Sequence, residues 1–191
     1  MSKIRCSWPK DDPTCLAYHD KELGVPVYDD HELFEMLILE GTQAGLSWIT
    51  ILKRREKYRI AYDGFAPTVM ATWNESKIIS LYANKDIIRN HLKIMAAGEN
   101  ARAYMKVLQE FTSFREFIWS FVNHKPITNC WKSWDETPAK TIESEKMSKE
   151  LKARGFQFVG PTICYAFMQA VGMVNDHITS CFRHGQIAKK Y

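Results

Sequence analysis

Polar caps punctuate this chain wherever an apolar pattern of helical period begins, and strict strand alternation is nearly absent. Asp29-x-x-Glu32 and Ser113-x-x-Glu116 have the form of capping boxes. The first long helix is predicted from about Asp30 to Glu40–Gly41, and a second from Ser47 to about Tyr62. Pro67 suits the first position of a short helix over 67–73, and Asn74 caps another to about Tyr82. A longer helix spans Ile88 to Gln109, and a shorter one follows Ser113 through Val122. Residues 123–142, with Pro126 and Pro138, read as a long connection. Glu143 to Arg154 is helical, closed by Gly155 at the C′ position, and Gly160-Pro161 opens the next helix, which ends at Gly172. Asn175 caps a final short helix over 173–182 carrying His177 and Cys181, and the basic tail 183–191 frays. Residues 1–28, rich in aromatics, Cys, His and Pro, form an irregular arm with one short helix near Cys15–His19. The pattern predicts an all-α fold packed by ridges into grooves, in a single domain over 1–191.

Hydrophobic residues make up 46% of the 191, enough for a real core. The 26 basic against 22 acidic residues lean mildly toward polyanions. No apolar run reaches the roughly 18 residues of a membrane helix. Met1-Ser2-Lys3-Ile4-Arg5 lacks the apolar core of a signal peptide. The expected location is the cytoplasm, where thiols stay reduced, and the five irregularly spaced cysteines do not form a disulfide framework.

The stretch Leu39-Glu40-Gly41-Thr42-Gln43-Ala44-Gly45-Leu46-Ser47-Trp48 concentrates unusual chemistry. Glu40 interrupts a core-facing pattern, and a carboxylate is rarely buried unless something pairs with it. Gly41 and Gly45 permit tight turning or close approach. Trp48 supplies a flat face with one N–H donor. A carboxylate beside an aromatic face suits a flat, cationic or amino-bearing heterocycle. The alternative is a helical corner with Glu40 as a cap and Trp48 in the core. Trp8 and Tyr18 lie in the polar arm and are further pocket candidates.

Cys6-x12-His19 near one end and His177-x3-Cys181 near the other offer a Cys2His2 set. Four protein ligands leave no open position, so such a site is structural. It would pin the arm to the last helix. The alternative is a set of core histidines and buried thiols. Cys15, Cys130 and Cys164 read as ordinary. In Arg154-Gly155-Phe156-Gln157-Phe158-Val159-Gly160-Pro161-Thr162, one helix ends and another opens with unpaired N–H groups, which suits a phosphate. Lys149, Lys152 and Arg154 add positive charge. No Ser–His–Asp order, phosphate-binding glycine loop or HExxH helix is present. On residues alone an enzyme, a zinc-stapled DNA-binding module and a helical interaction domain all stand.

Five stretches, in this order and over nearly the whole chain, resemble the bacterial 3-methyladenine DNA glycosylase I family of the helix-hairpin-helix superfamily. They are Ala17-Tyr18-His19-Asp20-x-Glu22-x-Gly24-Val25-Pro26, Leu39 to Trp48, Phe117-Ile118-Trp119-Ser120-Phe121-Val122-Asn123, Gly155-Phe156-x-Phe158-Val159-Gly160-x-Thr162-Ile163-Cys164, and Gly172-x-Val174-Asn175-Asp176-His177. The resemblance implies hydrolysis of the N-glycosidic bond of 3-methyladenine in alkylated duplex DNA by a monomeric, monofunctional repair enzyme. It implies a structural zinc on Cys6, His19, His177 and Cys181. It implies a pocket in which Glu40 accepts hydrogen bonds from the base, Trp48 stacks on it, and Tyr18 and Trp8 line it, with Glu40 and Tyr18 nearest the chemistry. Residues 155–165 become the DNA-backbone hairpin, with Gly160 and Thr162 at the phosphates. Leu46, flanked by Gly45, is the candidate wedge that fills the gap in the duplex.

Two positions depart from the family pattern. Leu23 stands where Trp is more frequent, and Cys15 where some members carry Tyr. The wider superfamily places a catalytic Asp where this chain has Asn175. The family resembled also lacks that Asp, so the neighbouring Asp176 is not expected to replace it.

Overall fold

The computed structural model describes residues 3–191; Met1 and Ser2 of the expected arm lie outside the described residues. Eleven α-helices and one two-stranded ribbon are formed among the described residues. In chain order these are α1 (Pro13–Lys21), α2 (Asp30–Gln43), α3 (Trp48–Leu52), α4 (Arg55–Ala61), α5 (Pro67–Met70), α6 (Glu75–Ala83), α7 (His91–Glu110), α8 (Phe114–Trp119), β1 (Ile127–Thr128), α9 (Ile142–Ala153), α10 (Pro161–Ala170), β2 (Val174–Asn175) and α11 (Phe182–Lys190).

The expected caps form at α2 and α8. Asp29 Oδ1 accepts from the Glu32 N–H at 2.9 Å, and Ser113 Oγ accepts from the Glu116 N–H at 3.0 Å. Asn90 caps α7 through the Lys93 N–H, so that helix begins at His91 rather than Ile88. The expected helix over 47–62 is instead two, α3 and α4. The break lets Arg55 and Arg59, one turn apart on α4, both donate to the buried Glu35 of α2.

Helix α2 is the centre of the molecule. Every residue from Leu33 to Thr42 is buried, so the helix is enclosed on all sides. It packs against α3, α7, α8 and α10. Gly41 also permits a close approach to the turn before α10: a Cβ there would stand 3.3 Å from Phe158 Cβ and from Phe158 O. At Gly172 the need is stronger, because φ is +67° and a Cβ would lie 2.3 Å from the Val25 carbonyl carbon.

The end of the chain differs from expectation. No helix carries His177 and Cys181. Val174–Asn175 pairs in parallel with Ile127–Thr128, residues 176–181 form a non-helical loop, and the helix is α11, within the tail expected to fray. Asn175 does not cap; its Nδ2 donates to His184 O at 3.2 Å, and its Oδ1 accepts from the His177 N–H at 3.4 Å. The tail stays helical because Ile187 buries its side chain beside Gly24.

Candidate active site and metal centre

Glu40 ends inside a cavity of about 160 Å³ formed by α1, α2, α3 and α10 with the arm and the 129–136 connection. Its walls include Trp8, Tyr18, Trp48 and Trp134. Leu23, Gln43, Ala166 and Gln169 complete them. The size suits a single flat ring system; a dry protein cavity of about 150 Å³ holds one benzene. Glu40 is only 4% exposed, and burial alone pushes its carboxyl up to about 8. No cation and no hydrogen-bond donor among the described residues brings it back down. Tyr18, buried on α1, has its hydroxyl raised well above its ordinary value by burial and then by the Glu40 charge, so it keeps its proton.

The aromatic walls are mutually braced. Tyr18 meets Trp48 edge to face at 5.5 Å between ring centroids, and Trp8 meets Tyr18 at 6.2 Å. The ring N–H groups of Trp8 and Trp48 are buried with no acceptor among the described residues. The cavity therefore combines one unpaired carboxyl with flat apolar faces. That set recognises a flat molecule carrying a positive charge or an amino group.

Cys6, His19, His177 and Cys181 are all buried, and their ligating atoms lie within 4.8 Å of one another. Cys6 Sγ is 3.5 Å from His177 Nδ1; Cys181 Sγ is 3.6 Å from both His177 Nδ1 and His19 Nε2. The remaining ring nitrogens have acceptors, Asp20 Oδ1 at 2.8 Å for His19 and Leu23 O at 3.0 Å for His177. These outer contacts orient each imidazole as in metal sites. The closeness of the two thiols pushes Cys6 up and Cys181 down. A cation among them would favour both as thiolates. This group could hold a metal ion, and it links the arm to the loop before α11 without the helix that sequence spacing suggested.

Residues 155–160 turn sharply between α9 and α10, with Gly155 at φ +95° and Phe158 at φ +55°. Gly160 is the N-cap of α10, Pro161 its first residue, and Thr162 is exposed in its first turn. Lys149 and Lys152 are exposed nearby, whereas Arg154 is paired with Glu110 and Glu150. The second loop of interest, 44–47, carries Gly45 at φ +76° and a half-buried Leu46.

A family model for methyladenine glycosylase matches residues 8–184. The chain belongs to that family. It is 50% identical over 177 residues to DNA-3-methyladenine glycosylase 1 of Escherichia coli, covering 93% of this chain and 95% of that protein. A crystal structure of 3-methyladenine DNA glycosylase I superposes with a TM-score of 0.93 at 51% identity, covering 95% of this chain and 100% of the other. A structure of the Staphylococcus aureus enzyme, concerned with its 3-methyladenine recognition, superposes with a TM-score of 0.92 at 35% identity, covering 94% and 96%.

In this methyladenine glycosylase, Glu40, Tyr18, Trp48 and Trp8 share one cavity, while Leu46 on the 44–47 loop and Gly160 and Thr162 at the start of α10 lie outside its wall. Leu23 lies in the wall, so that departure falls on the cavity; Cys15 is buried on α1 outside it. Sequence reasoning missed Trp134 and Gln169. Each carried a signal of the kind applied elsewhere: an aromatic in a polar connection, and a polar residue within the apolar Ala166–Ala170 run. It also missed Lys93, a buried lysine whose Nζ donates to Thr42 O and Ala44 O. Burial lowers its pKa. A cation there complements the carbonyl end of α2 and holds the turn that follows Glu40.

Proposed function

We propose that this glycosylase hydrolyses the N-glycosidic bond of 3-methyladenine in alkylated duplex DNA, releasing the free base and leaving an abasic site. The observation that carries the reading is the unpaired Glu40 carboxyl enclosed by Tyr18, Trp48 and Trp8. Methylation at N3 makes the adenine in DNA cationic. As the bond from the base to the sugar C1′ breaks, the base takes the bonding pair and leaves neutral. Water adds to C1′ and its surplus proton passes to solvent. No acid is needed for the leaving group, which fits a family with no Asp at the Asn175 position.

Recognition follows from charge. With the cavity empty, Glu40 holds its proton through neutral pH; a cationic base displaces that proton and pairs with the carboxylate. Neutral adenine offers no such exchange. Trp48 adds a cation–π attraction of ~0.5–2 kcal/mol. Tyr18, which keeps its proton, donates a hydrogen bond within the cavity. Unstacking the base costs a few kcal/mol, and Leu46 fills the gap it leaves. The backbone at Gly160 and Thr162 meets the phosphates at the start of α10.

The Cys6, His19, His177 and Cys181 group fits one structural zinc ion. Zinc bonds of about 2.3 Å to sulfur and 2.0–2.1 Å to nitrogen at the tetrahedral angle put neighbouring S and N ligands about 3.6 Å apart. Three of the four sulfur–nitrogen distances are 3.5, 3.6 and 3.6 Å, and all the ligating atoms lie within 4.8 Å of one another. A zinc ion held there would cross-link the arm that carries Trp8 and Tyr18, a structural role with no open position for the reaction. The enzyme works as a monomeric single domain in the cytoplasm, where its cysteines stay out of disulfides. No helix among the described residues is long and apolar enough to cross a membrane. The test is to incubate the purified protein with methylated duplex DNA and separate the freed bases by chromatography. Release of 3-methyladenine is expected; none from a folded, metal-loaded protein contradicts the proposal.

A further inference from the structure

Asp176 is buried beside the cavity and takes no part in the chemistry above. Its Oδ2 accepts from Tyr165 Oη at 2.6 Å and from Gln169 Nε2 at 2.7 Å. Its Oδ1 accepts from Asn129 Nδ2 at 2.6 Å and from Trp131 Nε1 at 2.8 Å. A carboxylate has about four acceptor sites, and here four donors fill them. Two of its partners connect to the cavity. Gln169 lines it directly, and Trp131 lies three residues before Trp134, which also lines it.

An amide side chain that rotates freely shows a neighbour either its oxygen or its nitrogen and selects for neither. Gln169 lacks that freedom. The Asp176 carboxylate only accepts, so the amide gives it Nε2 and keeps Oε1 for the cavity.

We infer that Asp176 is a positioning residue that locks the Gln169 carbonyl oxygen toward the base, and that Gln169 thereby selects a 6-amino over a 6-oxo purine. A 6-amino group has two N–H donors, one for Glu40 and one for Gln169 Oε1. A 6-oxo group turns acceptor lone pairs toward the same oxygen. The inference rests on the cavity being the 3-methyladenine site.

The experiment compares wild type, Gln169→Met and Asp176→Asn on duplex DNA containing both 3-methyladenine and 3-methylguanine. It reads initial release of each base, with melting temperature and metal content measured alongside. Gln169→Met keeps the length and loses the acceptor. It is expected to slow 3-methyladenine release by about tenfold without slowing 3-methylguanine release. Asp176→Asn offers an N–H to the amide, which lets Gln169 turn over, and the ratio is expected to fall although Gln169 is still present. An unchanged ratio in both folded variants, or an equal loss on both bases, would overturn the inference while leaving the enzyme class intact. Should Asp176→Asn fail to fold, the ratio in Gln169→Met decides. Release of neither base by wild type would reject the underlying reading and this inference together.

Discussion

Asn100 of α7 holds both backbone polar groups of Gln157: its Nδ2 donates to Gln157 O at 3.1 Å and its Oδ1 accepts from the Gln157 N–H at 2.7 Å. Two turns earlier on the same helix, Lys93 holds Thr42 O and Ala44 O. Residues seven apart share a helix face. One face of α7 therefore fixes both the 155–160 turn and the turn before Leu46, and Gly41 lets α2 approach the first of these closely at Phe158. The two loops proposed to meet DNA, far apart in sequence, are thus set at one spacing by one helix.

Replacing Asn100 with Leu should weaken DNA binding while sparing the base pocket. Losing both hydrogen bonds leaves the Gln157 backbone unpaired, at about 1–3 kcal/mol. Fluorescence anisotropy with an abasic-site duplex should show about tenfold weaker binding, with affinity for free 3-methyladenine unchanged. Equal losses for both ligands would mean the contact supports only the general fold.

Leu46→Ala separates the wedge from the pocket in the same way. The side chain is half-buried on a loop outside the cavity wall. The variant should bind lesion duplex more weakly, by about 1–3 kcal/mol for a lost large apolar side chain, and bind the free base like wild type. Unchanged duplex affinity would count against the wedge role.

Metal removal should act on the cavity from a distance. The metal group ties the 3–28 segment to the loop before α11, and that segment carries Trp8 and Tyr18. Chelation, or His177→Ala, should lower the melting temperature by about 2–4 °C for each kcal/mol lost and abolish binding of 3-methyladenine. Re-addition of zinc to the chelated protein should restore both. A chelated protein that still binds the base would detach the metal group from the pocket.

Much of this was legible in the sequence. The capped apolar segments gave the helices, and Glu40 stood out because α2 is apolar on every other side of that turn. The Cys and His residues announced a metal group by type. What failed was the geometry of residues 174–182. Spacing four apart suggested a helix, but the parallel pairing with Ile127 and Thr128 took that backbone, and pairing partners 47 residues away leave no local trace. Lys93 and Asn100 were missed for a related reason. Each acts through contacts distant in sequence, and alone each reads as an ordinary polar residue on a helix or loop.

The Glu40 carboxyl should make stability depend on pH. Its folded pKa, about 8, lies above the ordinary glutamate value. The folded state therefore binds the extra proton between roughly pH 4.3 and 8, and stability falls as pH rises through that window and levels above it. Glu40→Gln removes the dependence. It should melt near wild type at pH 5 and above it at pH 9, by an amount on the order of a few kcal/mol. Parallel thermal melts at the two pH values check this; equal gaps at both would mean Glu40 is not the titrating group.

A variant more stable than wild type yet unable to recognise the base would be the signature of a carboxylate kept for function. The most direct measurement is excision and binding of 3-methyladenine by Glu40→Gln beside wild type, on methylated duplex DNA and on the free base. A sharp loss of both with the fold intact is the predicted result. Wild-type excision and binding by the variant would contradict the account and reduce Glu40 to a buried helix residue.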